Sequence, residues 1–506
     1  MATLKGLREE RLRKLKELNK LGVNAYPAES RRDTELKKVV DNFSKLKGKK
    51  ITVAGRIKNI RGFGALTFIV IEDFSGRLQL FIKPDNFSAK TKGDLGELNY
   101  KVIENSLLDI GDFIEATGPV IKTKTDEISV EVHELRLLSK SLRPMPTDWD
   151  GLTDKETRLR RRYIDMNVNK DVRDRYERRS KFWQANRDYL NKHKFLEINI
   201  PVLEHTTGGA DAKPFKTHMD ALDQDFYLRI SHELPLKRLL GGGYEKVYDL
   251  GPRFRNEQYT DEHLPEHVAL EWYWAYADWN KGMEFMTDMF RYVYKQTFGK
   301  LQFEINGMKI DLSKDWQKID YAKVIKDRFG VDVFKATLAQ VHKALKDNKL
   351  EVADANNIGK GIDKLWKAHR TTIAGPAWLI NTPQVISPLA KSDPARPGTV
   401  QRFQPIIAGS ELGNGFSELN DPQDQLNRFL EQEKLRKGGD EEAQMLDIDY
   451  VEMLEYGMPP ACGWGHSERA FWLFEGVTGR EGVPFPQMRF EIDDVTRSIY
   501  PEIKFD

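Results

Sequence analysis

Residues 51–83 read ITVAGRIKNIRGFGALTFIVIEDFSGRLQLFIK, and this run decides the fold of the first part of the chain. ITVAGRI alternates apolar and polar positions, TFIVIED is rich in β-branched residues, and RLQLFIK alternates again. Residues 51–60, 66–73 and 76–83 are therefore expected as three strands, with Phe74-Ser75-Gly76 a tight connection between the last two. Residues 97–110 suit a short helix. DFIEATGPVI (112–121) and ISVEVHELRLL (128–138) suit two more strands. Five strands with a helix between the third and fourth fit a small Greek-key barrel of the OB type. Any small β-barrel or sandwich of this size fits the pattern as well.

Upstream, Leu4, Leu7, Leu12, Leu15 and Leu18 recur at helical spacing among basic residues, so residues 4–21 are expected as an amphipathic helix. Residues 1–50 hold 15 Lys+Arg against 7 Asp+Glu, a net of +8 in a chain whose total is +2. A basic end on a faintly acidic body suits a polyanion partner, and equally a solvated helix face.

The 506 residues allow about three domains. The expected division is a basic helical extension at 1–47, the barrel at 48–141, a linker at 142–165 that carries Pro144 and Pro146, and a large domain at 166–506. In the large domain, residues 170–194 are long, polar and helical, and the rest alternates strands and helices without a βαβ rhythm. An α+β domain with an antiparallel sheet flanked by helices is expected. Charged residues at 31% and hydrophobic ones at 40% exclude collagen-like and low-complexity classes. No apolar run approaches the ~20 residues of a membrane helix. The N-terminus has no apolar secretory core, and the single Cys462 cannot form an internal disulfide, so a cytoplasmic protein with no membrane partner is expected.

Several chemistries are missing. There is no GxxxxGK[ST] loop, no strand-linked GxGxxG and no GxSxG elbow. His263-Leu264-Pro265-Glu266-His267 spells HxxEH, but Pro265 would break the helix that a zinc site of that spacing needs. Cys462 has no evident base and reads as a buried structural thiol.

Three segments do carry chemistry. Gly251-Pro-Arg-Phe-Arg255-Asn-Glu257, followed by Asp261 to His267 and Leu270-Glu271-Trp-Tyr273, sets an arginine beside acids across a strand–loop–strand. Such an arginine could clamp a phosphate with its planar fork, or form a structural ion pair. Gly409-Ser-Glu411-Leu-Gly-Asn414-Gly-Phe416-Ser-Glu418 alternates carboxylates with small residues that could face one pocket, suited to Mg²⁺ beside a phosphate. Gly463-Trp-Gly465-His-Ser-Glu468-Arg469 is a glycine-rich strand-to-helix turn ending in an arginine.

These segments resemble the motifs of class II aminoacyl-tRNA synthetases. Phe254-Arg-Asn-Glu257 resembles motif 2, Gly463 to Arg469 resembles motif 3, and Phe195-Leu-Glu-Ile-Asn-Ile-Pro201 resembles motif 1. An N-terminal OB barrel is similar to the subclass for Lys, Asp and Asn. Thr207 to Phe215, Tyr227 to Leu234, Ser387-Pro-Leu-Ala-Lys391 and Asn414 to Pro422 resemble its lysine-activating members, from about residue 3 to 490.

The resemblance implies ATP-dependent ligation of L-lysine to tRNA(Lys) through a lysyl-adenylate, without a protein nucleophile, in a homodimer. It implies that Glu233 and the Gly208–Gly209 backbone meet the substrate α-amino group. Glu271, Tyr273 and Glu418 would receive the ε-ammonium, Phe416 the methylenes and Asn414 the carboxylate. A buried ammonium needs such paired carboxylates. Arg255 would hold the carboxylate and the α-phosphate. Glu257, His263 and His267 would meet ATP, Glu411 would hold Mg²⁺, and Arg469 would hold the γ-phosphate. Phe68 and Gln79 resemble the pair that reads the central anticodon base, with Arg61 and Glu134 as further contacts.

Departures gather around ATP. Gln404 stands where the family has a metal-binding glutamate, His267 where a phenylalanine stacks on adenine, and Glu262 where an arginine meets the γ-phosphate. The motif 3 turn is one residue short. Altered triphosphate handling is the expectation. The alternatives are an Asp or Asn enzyme of the same subclass, a protein-lysylating relative, and a non-catalytic tRNA-binding paralogue.

Overall fold

The computed structural model describes residues 3–86, 97–98, 100–146, 152–257, 259–261, 263–353, 355–439 and 442–504. Glu262 lies outside the described residues, as does part of the expected 97–110 helix, of which Tyr100–Glu104 is helical. The chain divides into two compact units, Met1–Leu152 with Arg489–Asp506, and Thr153–Met488. Residues 489–506, read above as the end of the large domain, thus group with the first unit.

In the first unit the described strands are β1 (Lys50–Phe63), β2 (Leu66–Glu72), β3 (Arg77–Ile82), β4 (Glu97–Leu98), β5 (Phe113–Lys122), β6 (Ile128–Glu131) and β7 (Glu134–Ser139). They run in the order β1-β2-β3-β6-β5-β7-β4, and β5 also pairs with β1. That last pairing closes a circuit of five strands, which removes the open edges a small sheet would leave. β3 and β6 are parallel, and the other pairs of the circuit are antiparallel. A register shift between Ile57 and Asn59 lets the long β1 bend to serve both β2 and β5. Inward residues such as Val53, Ile57, Ile69, Leu80, Ile114 and Val130 are fully buried.

The single strand expected at 128–138 is two. It kinks at Val132-His133, where the chain wraps Gly118: a Cβ at Gly118 would lie 1.8 Å from the Glu131 carbonyl oxygen. The N-terminal helix forms at Leu4–Lys20, capped by Thr3, and buries Leu18 and Arg11. Arg11 donates to the carbonyls of Ile110, Ser141 and Arg143, and Lys14 pairs with Asp109 at 2.8 Å. Part of the basic excess therefore docks the helix on the barrel rather than facing solvent.

In the second unit a nine-stranded sheet comprises β8 (Leu196–Glu197), β9 (Lys246–Phe254), β10 (Glu266–Ala275), β11 (Gln317–Asp320), β12 (Ala377–Ile380), β13 (Arg402–Ile407), β14 (Ser410–Glu411), β15 (Asn414–Ser417) and β16 (Ala461–Ser467). The order is β11-β12-β13-β15-β16-β10-β9-β8, with β14 paired to β13. The interior pairings are antiparallel as expected, while the outermost pairs, β11–β12 and β9–β8, are parallel. Helices Lys170–Lys192 and Trp279–Phe298 share one core with the sheet, built from Phe182, Met286, Phe290, Trp272, Phe403 and Trp464. Cys462 is buried there, and burial pushes its thiol well above the usual range. Residues 321–370 add three helices around Trp366, Ile325, Leu345 and Leu365. Among the described residues no helix is long and apolar enough to cross a membrane.

Candidate active site

Strand alternation builds the site. On β10, Leu270 and Trp272 enter the core, so Glu271 and Tyr273 point to the other face. The same period sends Arg253, Arg255, Arg402, Gln404, Asn414, Phe416 and Gly463 to that face, where a cavity of about 350 Å³ opens. Among the expected residues, Glu233, Arg255, Glu257, His263, His267, Glu271, Tyr273, Glu411, Asn414, Phe416, Glu418 and Arg469 all line it. Gly208 does not: it is buried, and a Cβ there would lie 2.4 Å from the Leu234 side chain. Gly209 takes the wall instead, at φ +84°. Glycine adopts that left-handed backbone without strain.

Carboxylates crowd one part of the cavity. Glu271 accepts from Ser231 Oγ at 2.9 Å, from the His232 N–H at 3.2 Å and from Tyr273 OH at 3.2 Å. Burial pushes its pKa up, but His232, Arg253 and these hydrogen bonds outweigh it and hold the carboxyl below the usual range. Glu233, first residue of the helix Glu233–Gly241, and Glu418 are both buried and share the ammonium of Lys237. Gly463 is required beside them: a Cβ there would lie 2.2 Å from Glu418 Oε1 and 2.4 Å from the Tyr273 ring.

Arginines mark the rest. Arg255 donates from Nε to the Ile230 carbonyl at 3.4 Å. Arg253 stands across the strand pair from His267 and donates to its Nε2 at 2.8 Å, with Glu271 3.4 Å away. Burial, then the charge of Arg255, pulls Arg253 down to about 9, so it is a cation at neutral pH. His267 lies 3.1 Å from the Leu264 carbonyl through Nδ1. Burial, then Arg253 and Arg255, hold it well below the ordinary histidine range, so it is a neutral ring at pH 7. Arg402 donates to Asn414 Oδ1 and to Ser387 Oγ, both at 2.6 Å. With Oδ1 taken, the amide group of Asn414 is left with donors to offer a carboxylate.

Glu411 accepts from the Trp366 indole at 2.6 Å and from Gln404 Nε2 at 3.2 Å. Gln404 therefore braces Glu411 as a donor, where a second carboxylate would have repelled it. Each Glu411 oxygen keeps a lone pair, which suits an ion that takes one carboxylate and several phosphate oxygens. Among the described residues no group of three or more His, Cys, Asp or Glu could hold a metal by itself. His263 lies in a turn with Thr260 Oγ1 2.9 Å from its Nδ1, and His267 is on β10, so HxxEH is not helical. A second cavity, of about 1250 Å³, adjoins through Glu257 and His263 and carries Lys213, Lys360 and Lys434.

In the first unit Phe68 and Phe81 face each other across β2 and β3, their rings stacked at 5.1 Å. Arg61 is the cross-strand neighbour of Phe68 on β1, and Gln79 donates to Ser129 Oγ at 2.9 Å beside them. Glu134 stands apart, on β7, which pairs with neither β2 nor β3, and its carboxylate holds Lys50.

Sequence reasoning missed Ser231, Lys237, Arg253 and Arg402. Arg253 was legible, being two residues from Arg255 on one strand face, and Lys237 is one helical turn from Glu233. Arg402 and Ser231 meet their partners only through strand pairing and loop packing.

The family described as tRNA synthetases class II (D, K and N) matches residues 154–489, and the OB-fold nucleic acid binding domain matches residues 51–138. Lysine–tRNA ligase of Thermotoga maritima is 39% identical, covering 96% of each chain. That of Fervidobacterium nodosum is 40% identical over 97% of this chain and 95% of its own. That of Roseiflexus sp. is 40% identical over 96% of this chain and 99% of its own. With the motif residues gathered on one cavity wall, and an OB-fold domain matched in the first unit, the chain belongs to the class II tRNA synthetases, in the lysine–tRNA ligase branch.

Proposed function

We propose that this enzyme joins L-lysine to the 3′ end of tRNA(Lys) at the expense of ATP. One observation carries the choice of amino acid: Glu233, Glu271 and Glu418 share a cavity with Tyr273, Phe416 and Asn414. Carboxylates with a hydroxyl and an aromatic wall suit an alkylammonium. The Asp carboxylate would meet repulsion, and the Asn amide oxygen would face acceptors where it needs donors.

In this reading Glu271, Glu418 and Tyr273 receive the ε-ammonium, and Glu233 with the Gly209 backbone receives the α-amino group. Arg255 and the Asn414 amide hold the substrate carboxylate. A carboxylate oxygen bonds to the α-phosphorus of ATP while the bridge to the β-phosphate breaks and pyrophosphate leaves. Arg255 and Arg469 hold the phosphate charge, and Glu257, His263 and His267 flank the nucleotide. Glu411 would hold the Mg²⁺ that travels with ATP, which would neutralise phosphate charge. The terminal ribose hydroxyl of tRNA then attacks the acyl carbon and AMP leaves. Positioning and fixed charge perform this chemistry.

The second cavity, where Lys213, Lys360 and Lys434 stand among Glu257, Asp261 and Glu442, offers the incoming tRNA end three cations for its phosphates. Phe68, Gln79 and Arg61 suit unpaired anticodon bases, while Glu134 is a weaker candidate. The exposed Leu196 and Leu203 beside Pro201, with β8 at the edge of the sheet, support a homodimer through this face. The cytoplasm is where such an enzyme would meet its tRNA. ATP–pyrophosphate exchange across all twenty amino acids tests the reading: exchange with lysine supports it, and exchange only with Asp or Asn overturns it.

A further inference from the structure

The carboxylate pocket holds a cation that no motif announces. Lys237 is fully buried one turn after Glu233; its Nζ donates to Glu233 Oε1 at 2.6 Å and forms an ion pair with Glu418. Its Nζ lies 5.2 Å from the centre of the Phe416 ring and 5.9 Å from that of Tyr273. Glu233, Glu418, Phe416 and Tyr273 all line the cavity, whereas Lys237 is not part of its wall. The two carboxylates therefore face the cavity on one side and an internal ammonium on the other.

Two buried carboxylates beside a third, Glu271, resist joint ionisation. Burial pushes Glu233 above the usual carboxylate range and Glu418 well above it, and the Lys237 ammonium is the largest influence opposing that rise. Burial opposes the charge on Lys237 itself, and the two carboxylates overcome that and push it up. Tyr450, Tyr273, Arg402 and the buried Cys462 thiol also act on this cluster. None of these supplies a cation that the structure pairs with Glu418.

Building on the lysine-binding reading, we propose that Lys237 is a positioning residue for substrate selection: it holds Glu233 and Glu418 fixed and ionised from behind, so that the cavity presents charged acceptors to an incoming amine. It does not touch the reacting atoms. Its loss changes how lysine binds, and leaves the transfer at phosphorus intact.

The test is lysine-dependent ATP–pyrophosphate exchange from pH 6 to 8 with the full chain and with Lys237→Met. The unaltered chain is expected to show a lysine KM that is flat with pH. K237M is expected to raise the lysine KM about 10- to 100-fold at pH 7, and this KM falls by up to about tenfold per pH unit as the carboxyl pair ionises. Its kcat and ATP KM stay within about threefold. K237R, which keeps the charge, restores a flat profile. A K237M KM that is unchanged, or raised by the same factor at every pH, overturns the inference. So does a lysine KM of the unaltered chain that titrates in this range, a result that stands even if K237M does not fold. If the unaltered chain exchanges with another amino acid and not with lysine, the lysine-binding reading fails and this inference falls with it.

Discussion

Arg253 donates from Nε to Nε2 of His267 at 2.8 Å, across the pairing of the two strands that floor the site. The contact ties the nucleotide side of the cavity to the amine side, because the same guanidinium lies 3.4 Å from Glu271. It also fixes the histidine proton on Nδ1, toward the Leu264 carbonyl.

His267 is therefore expected not to titrate in the ordinary histidine range, and the ATP KM is expected to show no inflection from it there. Arg253→Met removes both the donor and a nearby charge, and the ring pKa should move back toward about 6.5. Histidine ring proton shifts followed by NMR read this directly. A wild-type His267 titrating near 6.5 would contradict it.

Gly463→Ala is a probe of the amine pocket alone. Its new methyl would meet Glu418 Oε1 at 2.2 Å and the Tyr273 ring at 2.4 Å. Both must move, so the lysine KM should rise at least about 30-fold, some 2 kcal/mol. ATP binding, followed by nucleotide fluorescence, should be unaffected. Equal loss of both would place Gly463 in general packing.

Stability should fall as the solution is acidified below pH 6.5. Burial holds His232 down to about 4 and His466 down to about 3. Between those values and about 6.5 the unfolded chain binds protons that the folded chain refuses, so unfolding free energy rises with pH. Each such histidine contributes about 1.4 kcal/mol per pH unit in that window, an order-of-magnitude figure. His466→Phe should flatten the slope of unfolding free energy against pH by up to one proton. Denaturant melts from pH 4.5 to 7 measure it, and an unchanged slope would show His466 protonated in the fold.

The site residues were named in the sequence through the motifs that resemble the family, and strand alternation explains why they meet. Arg255, Glu271, Tyr273, Asn414, Phe416 and Glu418 sit at period-two positions around core residues such as Trp272 and Phe403. The barrel was legible from strand alternation, except that 128–138 reads as one strand. Its kink at Val132-His133 depends on Gly118 from another strand, which no local pattern encodes. Gln404 reads as a lost metal ligand, and its role as donor to Glu411 follows only from the pairing of β13 with β14. The Arg402–Asn414 contact is equally non-local.

Phe68 should matter for tRNA and not for adenylate formation. Its ring is backed by Phe81, which itself carries Lys83 at 4.9 Å from its centre. A base stacked on this column is worth about 1–3 kcal/mol. Phe68→Ala should lower kcat/KM for aminoacylation about 5- to 150-fold while exchange stays constant. Phe81→Ala should act in the same direction through loss of the backing ring. Unchanged aminoacylation in both would return Phe68 to barrel packing.

Where a bound lysine puts its amine decides the assignment. A crystal soaked with L-lysine is predicted to show the ε-nitrogen within about 3.2 Å of carboxylate oxygens from Glu271 and Glu418, with the α-carboxylate on Arg255 and Asn414. An empty cavity at saturating lysine, or a ligand lying with its amine away from both acids, would contradict it.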